Sequence, residues 1–100
     1  MASSSQVLIG GTPVIYNVDM PTANTEYSQV LPSGTKKVLI KLRSGSSLLK
    51  LSYTNGESGT KYITIPVGSS KFLEGVWLSN ITLYFQSPDA SQIAEIEVWQ

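Results

Sequence analysis

Turn-forming residues break this 100-residue chain about every ten positions, and the runs between the breaks are rich in β-branched and aromatic side chains. Val, Ile and Thr occur eight times each, and five Tyr, two Phe and two Trp join them. Side chains of these types fit the pleated, half-buried surface of a sheet. Ala occurs only four times, which gives helices little support. Fifteen Ser, eight Gly and five Pro supply the breaks. A chain of this length forms one domain around one core, and 41% apolar residues are enough to fill it.

Alternation within the runs predicts the strands. Gln6–Ile9 is short and closed by Gly10-Gly11. Pro13–Val18 places Val14, Tyr16 and Val18 on one face, and Glu26–Leu31 follows a loop containing Pro21. The clearest case is Lys37–Arg43, where Val38, Ile40 and Leu42 face the core and Lys37, Lys41 and Arg43 face out. Leu48–Thr54 turns Leu49, Leu51 and Tyr53 one way, and Lys61–Ile65 turns Ile63 and Ile65 inward before Pro66 stops it. Lys71–Leu73 and Val76–Leu78 are short candidates. Ile81–Gln86 has Ile81, Leu83 and Phe85 inward with Thr82, Tyr84 and Gln86 outward. Ser91–Trp99 reads as a strand because β-branched residues dominate its end, although Ile93 and Ile96 also fit a helical turn. About eight antiparallel strands predict an all-β sandwich, either jelly roll or immunoglobulin-like. Residues 12–100 form this domain and residues 1–11 an N-terminal arm.

Several chemistries lack their parts. The chain has no His and no Cys, so it offers neither an imidazole base, a thiol nucleophile, a disulfide nor a His/Cys metal site. Seven basic and seven acidic residues cancel, leaving no electrostatic route to nucleic acid. No run approaches the length of a membrane span. Glu95 and Glu97 share one face of a strand about 7 Å apart, a spacing that could flank a sugar but also suits a solvated face. Serine nucleophiles need a base, and the Ser47–Lys50 match lies within a strand rather than at a helix start. Asn80-Ile81-Thr82 matches a glycosylation triplet, but Ile81 points to the core. A calcium site at Asp19 or Asp89 has no acidic run to support it. The expectation is a non-enzymatic chain with no catalytic residue, no metal and no cofactor.

Interaction surfaces are the remaining possibility. Trp77, Tyr84 and Trp99 are expected at or near the surface, where aromatic rings stack on sugars or fill protein interfaces. Lys37, Lys41 and Arg43 form a cationic row that either binds an anion, guards a sheet edge or is merely solvated. In the arm, Val7, Leu8 and Ile9 could add a strand to an exposed edge of a neighbouring subunit.

The C-terminal half, residues 35–100, resembles small virion proteins of tailed bacteriophages. The resemblance rests on Ile63-Thr64-Ile65-Pro66-Val67-Gly68, on Leu83-Tyr84-Phe85-Gln86-Ser87-Pro88-Asp89-Ala90 and on Ala94-Glu95-Ile96-Glu97-Val98-Trp99. It implies a head decoration (cement) protein, or a head-fibre or tail accessory, that stabilises the capsid through inter-subunit contacts. Its partners would be the major capsid protein or other virion subunits. It also implies a homo-oligomer, often a trimer, located in the virion after assembly in the host cytoplasm. The Trp-ended strand pattern is similar to discoidin-type and carbohydrate-binding sandwiches as well, which implies a glycan-binding or host-attachment alternative.

Overall fold

A computed structural model describes residues 12–100, so the expected Gln6–Ile9 strand and the arm lie outside the described residues. Eight strands follow in order: β1 (Val14–Met20), β2 (Tyr27–Val30), β3 (Lys37–Leu42), β4 (Leu49–Ser52), β5 (Ile63–Ile65), β6 (Ser70–Glu74), β7 (Thr82–Gln86) and β8 (Gln92–Trp99). They form two four-stranded antiparallel sheets, ordered β1-β8-β3-β6 and β2-β7-β4-β5. The all-β sandwich expected from the sequence is therefore present.

The pairing reveals how the chain is wound. β1 pairs with β8, β2 with β7, β3 with β6 and β4 with β5. The first and second halves of the chain thus make one long antiparallel ribbon, closed at the β4–β5 loop. Wrapping the ribbon brings β8 beside β3 and β7 beside β4, completing both sheets. This is the jelly-roll arrangement. An immunoglobulin-like sandwich would instead keep the first two strands in one sheet, whereas here β1 and β2 lie in different ones.

Between the sheets lies a core that alternation largely specifies. Val38, Ile40 and Leu42 on β3 meet Ala94, Ile96 and Val98 on β8, and Leu49, Leu51, Leu83 and Phe85 line the opposite sheet. Each of these Val, Leu, Ile and Phe side chains contributes about 1.5–3 kcal/mol by leaving water, and the methyl group of Ala94 less. The Ser91–Trp99 segment is a strand, because a helix would have buried Glu95 or Glu97 and lost the ladders to β1 and β3.

Three local expectations are corrected. Val76–Leu78 is a turn of 3-10 helix rather than a strand. Gly75, at φ 139°, breaks the extended path after β6, and the turn drives Leu78 fully into the core while leaving Val76 outside. Ile63 has the same parity as buried Ile65 but is 47% exposed, because β5 is an edge strand. Gln86 leaves the core side as expected, yet it is buried. The β4–β5 loop covers it so closely that a Cβ on Gly59 would stand 2.8 Å from its Nε2.

Candidate functional site

The outer face of the β1-β8-β3-β6 sheet holds a surface depression of about 380 Å³. Strand alternation builds it. When Val14, Val38, Ile40, Ile96 and Val98 turn inward, their neighbours Ile15, Asn17, Leu39, Lys41, Glu95 and Glu97 must turn outward. Register then sets them in rows. One row runs Ile15, Glu97, Leu39, Phe72 across the four strands; the next runs Asn17, Glu95, Lys41, Ser70.

Charge in this depression is largely cancelled. Lys41 Nζ donates to Glu95 Oε1 at 2.9 Å and Arg43 Nε to Oε2 at 2.7 Å. The Arg43 hydrogen bond, and then that of Lys41, hold the Glu95 carboxyl below its ordinary value. An acid catalyst for glycoside cleavage needs the opposite shift. Both cations are at least two-fifths exposed, so each pair contributes at most about 1 kcal/mol. The row of Lys37, Lys41 and Arg43 cannot guard an edge, because β3 lies inside its sheet between β8 and β6. Glu97 has Ile15 and Leu39 as its cross-strand neighbours, and its carboxylate has no side-chain hydrogen bond among the described residues.

Trp77, Tyr84 and Trp99 occupy three separate places. Trp99 lies on the outer face of β8 and meets Phe72 of β6 edge-on, with ring centroids 6.1 Å apart. Phe72 is 52% exposed. Sequence reasoning did not single out Phe72, because its contact with Trp99 depends on the sheet order that brings β6 and β8 to either side of β3. Tyr84 lies on the outer face of the other sheet, paired across strands with Ser28 and Ser52. Lys50, on that same face, sits over the Tyr62 ring at 5.0 Å. Trp77 stands on the 3-10 turn, half exposed, with its Nε1 donating to the Glu74 carbonyl at 3.2 Å and its ring edge-on to Tyr53 at 5.7 Å. The two outer faces point in opposite directions, so these rings cannot form one stacking platform. Val7, Leu8 and Ile9 lie outside the described residues.

Other sequence candidates have local roles. Asp89 accepts a hydrogen bond from Ser47 Oγ at 2.6 Å, and Ser47 also bonds Ser87 at 2.8 Å, which ties the β3–β4 loop to the β7–β8 loop. No group of three potential metal ligands occurs among the described residues. Asn80 adopts φ 64°, a left-handed conformation that Asn tolerates well, so its side chain has a turn-forming reason to be there. No helix among the described residues is long and apolar enough to cross a membrane. Compared with known protein families, characterised proteins and solved structures, the chain matches none.

Proposed function

We propose that this chain is a non-enzymatic virion component that decorates the head of a tailed bacteriophage and reinforces contacts between capsid subunits. The observation that carries this reading is the amount of apolar surface left outside a well-filled core. Ile15, Val30, Val67, Phe72 and Val76 are each more than half exposed, and Trp77 nearly so. Of these, Ile15 and Phe72 share the outer face of the β1-β8-β3-β6 sheet with Leu39 and Trp99, and an apolar cluster gathered on one face is the kind of surface that another protein covers. Phe72 and Trp99, at the rim of a charge-neutral depression, supply aromatic anchors of the kind that dominate binding energy. Balanced charge suits docking that salt does not disrupt. The resemblance to small virion proteins supplies the type of particle, and the arm Met1–Gly11 is the segment proposed to reach a neighbouring subunit.

Sedimentation of the purified chain with capsids that lack it tests the proposal. Saturable co-sedimentation, with capsids that resist heat disruption better when coated, is the expected result. A chain that stays in the supernatant at tens of micromolar overturns it. Removal of residues 1–9 should leave a folded domain that no longer binds the particle. The dispersal of Trp77, Tyr84 and Trp99 leaves no observation that favours the glycan-binding alternative.

A further inference from the structure

The four sheet edges are unequally protected. β2 offers four residues and β5 three, the latter stopped by Pro66, and β6 offers five that include Lys71 and Glu74. These are the usual ways of blunting an edge: shortness, proline and charge. β1 relies on them least: it is the longest of the four edge strands, and its prolines, Pro13 and Pro21, flank it without interrupting it. It runs seven residues, Val14-Ile15-Tyr16-Asn17-Val18-Asp19-Met20, in unbroken register with β8, and carries a single charge. Among the described residues no strand pairs with its other side. Ile15 is 63% exposed, and Val14, Tyr16 and Val18 are only partly buried against the core.

We infer that β1 is a strand-addition site whose occupant is β1 of a second copy of this chain, paired antiparallel about a two-fold axis through Asn17. The sequence of the strand fits itself in that register. All seven residues pair. Even-numbered residues meet even-numbered ones, so the apolar inward faces stay on one side: Val14 lies opposite the partner's Met20, and Tyr16 opposite the partner's Val18. On the outer side Ile15 meets the partner's Asp19, and the two Asn17 amides face each other within hydrogen-bonding reach. No charge meets its like. Antiparallel pairing over this length adds about six to eight backbone hydrogen bonds and joins the two sheets into one of eight strands. It also extends the depression on the outer face, because Ile15 and Asn17 form its β1 wall. The inference is independent of any particle the chain binds.

The mass of the full chain in solution, measured by sedimentation equilibrium across a concentration series, tests it. The expected species is a dimer, twice the 10.8 kDa chain. Asn17→Lys should raise the dimer Kd at least about tenfold, because like charges then face each other on the axis. In the single chain the new lysine stands beside Glu95, its cross-strand neighbour, so folding is retained and circular dichroism checks it. Asn17→Asp should weaken the dimer in the same way, and an equimolar mixture of the two variants should restore it as a heterodimer. The chain has no other cysteine, so oxidised Asn17→Cys should run as a covalent dimer, whereas Gln29→Cys on the β2 edge should not. A wild-type chain that remains at 10.8 kDa at millimolar concentration overturns the inference. So does an oligomer that neither charged variant weakens.

Discussion

Glu26 secures the β4–β5 loop from the far side of the sheet. Its carboxylate accepts hydrogen bonds from the backbone N–H groups of Gly56, at 2.7 Å, and Ser58, at 2.9 Å, and from the Ser58 hydroxyl. Burial alone would push the group up, but these bonds outweigh it and hold it below its ordinary value near 4.5. A carboxyl lowered in the folded state stabilises the fold above its unfolded value, and that contribution disappears as pH falls through the folded value. Glu26→Gln should therefore lose about 1 kcal/mol at neutral pH, with the gap to wild type closing below pH 4.5. Urea unfolding at several pH values checks both the size and the direction. Glycine positions separate strain from mere location. A Cβ on Gly75, at φ 139°, would stand 2.5 Å from the Trp77 ring. Gly75→Ala should cost about 1–3 kcal/mol. Gly45→Ala, where no atom lies within 4 Å, should change stability by less than about 1 kcal/mol.

Strands differ in what the same substitution removes. Ile96 is fully buried on β8, a central strand with a neighbour on each side, whereas Ile63 is 47% exposed on the β5 edge. Ile96→Ala should destabilise by about 2–5 kcal/mol and Ile63→Ala by about 1 kcal/mol or less, measured in the same denaturant series. Their local patterns look alike, and that similarity marks the limit of what sequence reveals. Alternation within Lys37–Arg43 and Ile81–Gln86 told inward from outward because each side chain's direction depends only on its own strand. Whether an inward residue is covered depends on the sheet order, which arises from contacts between distant segments. Ile63 was misread for that reason, and Gln86, rightly read as outward, is buried because the β4–β5 loop folds over it. Val76–Leu78 was misread because three β-branched or large residues suit a strand, while the Gly75 backbone decides otherwise. The choice between two sandwich topologies was likewise open until the pairing of β1 with β8 closed the ribbon. Within the candidate site, Glu95 and Glu97 were visible as outward neighbours on one strand. The capture of Glu95 by Lys41 and Arg43, from a segment more than fifty positions away, was not.

Winding a ribbon into two sheets fills one core and leaves two outer faces for other work. On one of them Phe72 and Trp99 stand beside a depression whose charges, Lys41 and Arg43 against Glu95 and Glu97, balance; the interaction role proposed for the chain rests on such surfaces. Phe72→Ser should leave unfolding stability within about 1 kcal/mol, since the ring is half exposed, yet reduce capsid binding at least about tenfold if this face docks. A parallel loss of stability and binding would point to a packing role instead. The proposed role makes the chain part of a particle that it helps to hold together. Quantitative mass spectrometry of purified virions measures this most directly. Peptides of this chain are expected at a fixed ratio to the major capsid protein, preserved through repeated density-gradient banding. Virions that carry none of it, with the chain confined to the lysate, would contradict that role.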